Sequence, residues 1–159
     1  MKRNLVMLAV MATAILLAVG IGYAASYPDE VMKKIDEIKE LEKNKKDMPE
    51  SLAGIGVVKG EDAHKLKAKG AKVVDNRIKA QYDTEHIEGA LLLTVDELLK
   101  NPSLADKLGK NDELVLYCNG VKCWRSPAAA VILQHLGFKK IHWYRDGIPD
   151  WKKKGYPTE

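Results

Sequence analysis

Short apolar segments alternate with longer stretches of helical periodicity along most of this chain, and the alternation constrains its fold more than any other feature. Parallel strands need a crossover connection, usually a helix, so the pattern predicts an α/β protein whose parallel sheet is covered on both faces. Thr94 and Glu97 have the spacing of a capping box at the start of one such helix. The predicted strands are residues 55–58, 71–74, 91–93, 114–117 and 140–143. The predicted helices are residues 61–69, 78–82, 94–100, 102–108, 126–136 and 149–154.

The first residues have the layout of an export signal. Lys2 and Arg3 form a basic start, residues 5–21 are apolar and uncharged, and small residues follow. Residues 1–25 are therefore interpreted as a secretory signal peptide. The alternative is an uncleaved membrane anchor formed by residues 5–25, because the apolar run is nearly long enough to span a bilayer. Both interpretations predict that the rest of the chain is exported, to the periplasm in a bacterial cell.

Residues 26–51 are polar and lysine-rich and carry one narrow apolar stripe with helical spacing. This pattern predicts an amphipathic helical linker. Such a helix packs on the edge of a domain or spaces the domain from a membrane, and the alternative is a helix that binds a partner. The main domain is then expected to occupy residues 52–159. The stripe consists of Val31, Ile35, Ile38 and Leu41.

Composition excludes some classes of function. The net charge is +4, and lysines are interspersed with carboxylates, so no dense basic stripe marks a nucleic-acid-binding surface. The chain has two cysteines, Cys118 and Cys123, which are too close in sequence to tie distant segments together. We expect them to have a chemical role. The histidines are scattered and the cysteines have no second pair at zinc spacing, so no metal site is expected.

Cys118 directly follows the predicted strand 114–117 and precedes a loop that runs into the helix 126–136. Ligands of open α/β sheets bind at the carboxyl ends of strands, and a helix start offers free N–H groups and the positive end of its dipole. Because both features lower the pKa of a thiol, we predict a nucleophilic Cys118 thiolate in an anion-binding loop. The alternative is a buried structural thiol. The predicted substrate-binding residues are Asn119, Gly120, Val121, Lys122, Cys123, Trp124 and Arg125.

Three ordered signatures resemble those of the rhodanese-like sulfurtransferase family. The likeness covers roughly residues 54–159, and three signatures in order are more specific than any single motif. The resemblance implies a three-layer α/β/α sandwich with a five-stranded parallel sheet in the strand order 3-2-4-5-1. Glu85 departs from the first signature by replacing a glycine. The signatures are residues 73–77 with Tyr82 and 86–90, residues 116–118, and residues 147–151 with 155–157.

The candidate site loop departs from the family pattern in its length. Sulfurtransferases of the family have four residues between the cysteine and a basic residue that precedes serine, whereas six separate Cys118 from Arg125. The loop reads Cys-x-Gly-x-x-Cys-x-x-Ser and resembles an extended variant of exported rhodanese-like proteins. Related phosphatases and arsenate reductases have five intervening residues and a larger pocket. Since the loop N–H groups also select the anion, the departure leaves the sulfur donor open.

The loop side chains carry different expectations. Arg125 is expected to hold a sulfur oxyanion, because a planar guanidinium suits that geometry. The alternative for Arg125 and Lys122 is that they are solvated loop charges. Cys123 is interpreted in three ways: a resolving thiol that forms a disulfide with Cys118, a second persulfide carrier, or a loop residue without a role.

Other residues are expected to support the site without reacting. A carboxylate and a guanidinium at one strand end, Asp75 and Arg77, are expected to pair and to fix neighbouring loops. The resemblance implies the same supporting role for them, and we place Ser126 in this group. His86 is interpreted as a turn residue, because an acidic thiol needs no separate base.

The resemblance implies an exported sulfurtransferase. Cys118 would take sulfane sulfur from thiosulfate or polysulfide as a persulfide and give it to a thiol or cyanide, without any cofactor. The expected partners are a small sulfur-containing anion as donor and a thiol as acceptor. A protein that accepts the sulfur is the alternative to a small acceptor. One alternative is a thiol–disulfide or oxyanion reductase that uses Cys118 and Cys123. Another is a non-catalytic sulfur carrier or docking module.

Overall fold

The computed structural model describes residues 27–159. The signal or anchor predicted at residues 1–25 lies outside this range. Among the described residues, no helix combines the length and the apolarity that crossing a bilayer requires.

Strands and helices alternate along the described chain, as the sequence predicts. The five strands are β1 (Gly56–Val58), β2 (Lys72–Asp75), β3 (Leu91–Leu92), β4 (Glu113–Tyr117) and β5 (Lys140–Tyr144). The helices are α1 (Asp29–Lys43), α2 (Gly60–Ala68), α3 (Lys79–Thr84), α4 (Val95–Leu98), α5 (Arg125–His135) and α6 (Gly147–Lys153), with a 3₁₀ segment at Pro102–Lys107.

All strand pairs are parallel, and the order across the sheet is β1-β5-β4-β2-β3. Read from the other edge, this is the predicted order 3-2-4-5-1. The central strand β4 ends at Tyr117, which lies opposite Asp75 of β2 and Tyr144 of β5. Cys118 therefore leaves the sheet at its carboxyl edge, between the ends of two neighbouring strands.

Alternate side chains of β4 enter two separate cores. Leu114 and Leu116 pack in the core that also contains α1 and α5. Val115 and Tyr117 pack in the core on the other face, together with α2 and α6. This alternation is the period-two geometry of a strand buried on both sides. The result is the three-layer α/β/α sandwich that the resemblance implied.

Helix α1 packs on the domain, which is one of the placements expected for it. Val31, Ile35 and Ile38 of its stripe are buried in the core that α5 shares. The Tyr27 hydroxyl, just before the helix, donates a 2.7 Å hydrogen bond to the Leu98 carbonyl oxygen. The apolar stripe of α1 is thus used inside this molecule.

The start of α4 shows how local sequence fixes an element. The Glu97 backbone N–H donates to Thr94 Oγ1 at 3.2 Å, and the Thr94 hydroxyl donates to Glu97 Oε2 at 2.8 Å. One otherwise unpaired N–H of the first turn is therefore satisfied by the capping residue. The predicted helix start at Thr94 is confirmed, although α4 ends two residues short of Lys100.

Candidate active site

The loop between β4 and α5 is held closely against the start of α6. The Ile148 N–H donates to the Cys118 carbonyl oxygen at 3.1 Å. Gly147 has a φ of +63°, and a Cβ there would collide with the Cys118 carbonyl oxygen and the Gly120 nitrogen. Gly120 also has a positive φ, +107°. Glycine at both positions lets the two segments touch, which sets the direction in which the Cys118 side chain leaves the sheet.

Ser126, the second residue of α5, contacts the Cys118 sulfur directly. Its Oγ lies 2.9 Å from Cys118 Sγ, and it accepts a 3.0 Å hydrogen bond from the Trp143 indole N–H. Because the Ser126 oxygen is the acceptor in its bond with Trp143, its single hydroxyl hydrogen is free to donate to the Cys118 sulfur. Ser126 is fully buried, so this hydrogen bond faces little competition from water. The geometry suits stabilisation of a Cys118 thiolate.

The two cysteines form one buried pair. Cys118 is 1% exposed and Cys123 is 5% exposed, and both are free thiols. The Cys118 thiol donates to the Cys123 carbonyl oxygen, which lies 3.4 Å from its sulfur. The structure therefore brings Cys123 to the candidate nucleophile rather than leaving it at the loop surface.

The protonation of this pair corrects one sequence prediction. We expected the loop to lower the pKa of Cys118, but burial and the neighbouring Cys123 raise it well above its ordinary value. The hydrogen bond from Cys118 lowers the pKa of Cys123 to about 7, and the N–H groups of Asn119 and Arg125 act in the same direction. Backbone N–H groups act on both sulfurs: that of Ser126 opposes the rise in the pKa of Cys118, and those of Asn119 and Arg125 lower the pKa of Cys123. The pair therefore ionises first at Cys123, while Cys118 keeps its proton.

Asp75 and Arg77 form the pair that the sequence predicts. Arg77 Nη2 lies 2.6 Å from Asp75 Oδ2, and its Nε contacts both carboxylate oxygens at 3.0 Å. The Tyr117 hydroxyl donates to the same carboxylate at 2.5 Å and accepts the Ile87 N–H at 3.1 Å. Arg77 also donates to the Glu85 carbonyl oxygen at 2.6 Å. This network fixes Tyr117, the residue that precedes Cys118, and joins it to the loop before β3.

Of the two charged loop residues considered for anion binding, Arg125 is paired with another side chain and Lys122 is exposed. Arg125 Nε donates to Asp96 Oδ2 on α4 at 3.0 Å, and its guanidinium lies 5.3 Å from the centre of the Trp124 ring. Lys122 is exposed, and Asn119 is exposed with its amide on Gln81. That Arg125 holds a sulfur oxyanion remains a prediction, since its guanidinium is bound to Asp96.

The last part of the predicted linker, which follows α1, packs on the loop. We call residues 44–50 the covering segment. The Met48 N–H donates to the Val121 carbonyl oxygen at 2.7 Å. Arg145, at the end of β5, donates to the carbonyl oxygens of Met48 and Pro49 at 2.7 and 3.1 Å. Glu42, near the end of α1, accepts the Trp124 N–H at 3.4 Å. The one sequence signal for this arrangement was the position of Arg145 after a strand, at the edge where sites form.

The histidines have structural partners. His86 stacks on Tyr82 with ring centres 3.7 Å apart, and its Nε2 lies 3.2 Å from Glu159. His142 pairs with Glu113 at 2.9 Å. Within residues 27–159, no three histidine, cysteine or acidic side chains cluster as metal ligands would. His86 occupies the turn position that we expected for it.

With this geometry in hand, comparison with protein families becomes informative. The family model for the rhodanese-like domain matches residues 60–154, which is more than half of the chain. The chain belongs to the rhodanese-like domain family. The matched region contains four of the five strands, β2 to β5, together with the Asp75–Arg77 pair and the cysteine loop of this rhodanese-like protein. Helix α1 and the covering segment precede it.

Solved structures agree on the fold. A rhodanese-like domain from Anabaena is 30% identical, with a TM-score of 0.50 over 62% of this chain and 98% of that one. A polysulfide-sulfur transferase homodimer from Wolinella succinogenes is 19% identical, with a TM-score of 0.57 over 82% and 90% of the two chains. A Rhodopseudomonas palustris protein described as a possible tyrosine phosphatase is 21% identical, with a TM-score of 0.55 over 87% and 100%. A comparison with curated protein sequences found no match.

Proposed function

We propose that this rhodanese-like protein transfers sulfane sulfur from thiosulfate or polysulfide to a thiol or cyanide through a persulfide on Cys118. The observation that carries the proposal is the surroundings of the Cys118 sulfur. It lies at the carboxyl edge of β4 and beside the start of α5, with the Ser126 hydroxyl at 2.9 Å and the Cys123 carbonyl oxygen at 3.4 Å. The likeness to a polysulfide-sulfur transferase supports the same class of reaction.

The Cys118 thiol must lose its proton before its sulfur can attack the donor. Transfer of the Cys118 proton to the Cys123 thiolate makes Cys118 the attacking thiolate, and the Ser126 hydroxyl donates to its sulfur. Cys118 then forms a bond to the outer sulfur of thiosulfate. The donor's S–S bond breaks and its electron pair leaves with sulfite. The free N–H groups and dipole of α5 stabilise the anionic charge during this step.

Access to the pair requires movement of its cover. Both cysteines are buried, and the covering segment is bound to Val121 on one side and to Arg145 on the other. Release of the Met48–Val121 hydrogen bond would open the loop to a donor anion. The acceptor thiol or cyanide would then attack the outer sulfur of the persulfide, and Cys118 would leave as the thiolate.

Two measurements test the proposal. Wild-type protein should convert thiosulfate and cyanide to sulfite and thiocyanate, and Cys118→Ser should abolish this reaction because the attacking thiolate is lost. In the Cys123→Ser variant, the peptide that contains Cys118 should gain about 32 Da, one sulfur atom, after thiosulfate treatment. Transfer that persists in Cys118→Ser would assign the sulfur to the wrong cysteine.

A thiol–disulfide or oxyanion reductase is the second candidate, and the contact between Cys118 and Cys123 favours it. Such an enzyme would lose its reaction when either cysteine is replaced. Measuring disulfide reduction and sulfur transfer side by side in both serine variants separates the two. Disulfide or oxyanion reduction without any sulfite release from thiosulfate would support the reductase.

Export is part of the proposal. The basic start and the apolar run of residues 5–21 support delivery of the domain beyond the cytoplasmic membrane, into the periplasm. Native protein from a cell fraction should begin at Ala25 or Tyr27 if the signal peptide is cleaved after Ala24 or after Ser26. A full-length chain in the membrane fraction would indicate the anchor, and a full-length chain in the cytosol would contradict export.

A further inference from the structure

The residue that carries the second thiol lies against the atom that would become the inner sulfur of the persulfide. The Cys123 carbonyl oxygen is 3.4 Å from Cys118 Sγ, and both side chains are buried in the same loop. The pair is buried, so an external thiol must first open the loop to reach it. Cys123 needs no such opening. Two groups held in contact react as if at very high local concentration.

We propose that Cys123 resolves the Cys118 persulfide, so that the protein reduces sulfane sulfur to hydrosulfide and ends as a Cys118–Cys123 disulfide. The inference rests on the proposed function, because it needs the persulfide that sulfur transfer creates on Cys118. It goes beyond that function by naming the product and a second chemical role for the extended loop. Delivery of sulfur to an external acceptor and release of hydrosulfide then compete for the same intermediate.

The step balances in atoms and electrons. Cys123, which took the Cys118 proton when the persulfide formed, passes that proton to the outer sulfur, and the resulting thiolate attacks Cys118 Sγ to form the Cys118–Cys123 bond. The bond between Cys118 Sγ and the outer sulfur breaks, and its electron pair leaves with the outer sulfur, which is released as HS⁻. The sulfane sulfur is reduced by two electrons and the two cysteine sulfurs are oxidised to a disulfide. A dithiol reductant, by attacking this disulfide, regenerates both thiols.

The protonation of the pair favours Cys123 as the attacking group. A thiolate attacks, a thiol does not, and the most effective attacking thiol has a pKa near the ambient pH. The pKa of Cys123 is lowered to about 7 by its hydrogen bonds. The loop N–H groups from Asn119 and Arg125 keep it ionised next to Cys118. While the covering segment is closed, Cys123 is the thiolate that can reach the Cys118 persulfide.

A disulfide in this loop would also require an electron supply. Both cysteines of the 159-residue sequence are consumed in this bond. The reaction that must follow is therefore delivery of two electrons by an external dithiol. Dithiothreitol serves as the probe for that class of reductant.

Single turnover of the whole chain tests the proposal. Reduced wild-type protein freed of reductant is mixed with thiosulfate in the absence of cyanide. We expect about one equivalent each of sulfite and hydrosulfide per chain, loss of both alkylatable thiols, and a final mass about 2 Da below that of the reduced protein. Dithiothreitol should then convert the single turnover into continuous hydrosulfide release.

Matched variants make the outcome decisive. Cys123→Ser should release sulfite more slowly, because the group that accepts the Cys118 proton is gone, but should keep about 32 Da on Cys118 and release no hydrosulfide until an external thiol is added. Cys123→Ala, which leaves no polar side-chain atom at position 123, should behave in the same way as Cys123→Ser. A wild-type chain that releases sulfite and keeps the added sulfur without hydrosulfide would overturn this inference and leave sulfur transfer intact. Absence of sulfite release from every chain would instead overturn the proposed function.

Discussion

The site loop is held by two sets of buried contacts that draw on very different distances along the chain. On one side Asp75 binds Arg77, two residues later. On the other side Met48 and Pro49 are held by Arg145, 97 and 96 residues away. The first set lies within the region that the family model matches, and the covering segment lies before it. Contacts between residues that are close in sequence therefore support the strand ends beside Cys118. Contacts between residues that are far apart in sequence hold the covering segment against the loop.

The largest expected effect is on the local side. Asp75→Ala leaves a guanidinium that is 5% exposed without its carboxylate, so we expect the free energy of unfolding to fall by about 3–5 kcal/mol. Urea denaturation followed by tryptophan fluorescence measures this. The matched control is Asp83→Ala, which breaks an exposed pair with Lys79 and should cost about 0.5 kcal/mol. Equal losses in both variants would show that the buried pair has no special part in stability.

Breaking the long-range side should change access more than stability. Arg145→Ala removes two hydrogen bonds to the covering segment, and the loop should open more often. Because hydrogen bonds from a charged group contribute about 1.5–3 kcal/mol, alkylation of the thiols by iodoacetamide should accelerate roughly tenfold or more.

Arg145→Lys is the control for this prediction. It keeps the positive charge but not the forked geometry, and should give an intermediate alkylation rate. If neither variant alters the rate, the thiols are reached by another route and the covering segment does not control access.

A smaller effect concerns Arg125, whose predicted role in donor binding competes with its pairing to Asp96. If the guanidinium holds the donor anion, Arg125→Ala should raise the KM for thiosulfate about tenfold, because one hydrogen bond from a charged group to the anion is lost. Asp96→Ala frees the same guanidinium and should leave KM unchanged or lower it. Steady-state thiocyanate formation measures both. A parallel rise in KM in the two variants would indicate that Arg125 acts only by holding α4 against the loop.

The smallest expected effect is a pH dependence of stability that originates in the thiol pair. The folded-state pKa of Cys123 is lowered from 9.0 to about 7, so its contribution is present above the unfolded value and is lost as pH falls through 7. Between pH 7 and 9 the free energy of unfolding should therefore rise with pH, by at most about 1.4 kcal/mol per unit. Urea titrations across this window, compared with Cys123→Ser, measure the difference. An identical slope in both chains would place the titrating group elsewhere.

What the sequence predicts correctly here depends on short-range pattern. The strand–helix alternation, the Thr94 cap and the Asp75–Arg77 pair are all encoded by residues a few positions apart. Periodicity and spacing are sufficient for such features, because the interacting groups meet as soon as the local structure forms. The sheet order followed from the resemblance, whose signatures fix which strands carry the site.

The remainder depended on contacts that no local pattern encodes. The lowered pKa was predicted for Cys118 from its place at a strand end and a helix start. Which sulfur the loop N–H groups reach, however, depends on how six intervening residues fold. The covering segment was missed for a related reason. Its partners, Val121 and Arg145, are distant in sequence, and polar residues around Met48 resemble an ordinary linker.

The absent side chain at Gly147 has a consequence for the length of the loop. Because the start of α6 touches the Cys118 carbonyl oxygen and Gly120, the loop has no room to expand on that side. Any extra residues must bulge toward α1, where Val121 offers its carbonyl oxygen to the Met48 N–H. A shorter loop would withdraw that acceptor and leave a buried donor unpaired, at a cost of about 1–3 kcal/mol. Loop length and the covering segment are therefore coupled in this molecule: a change in the first alters how the second is held.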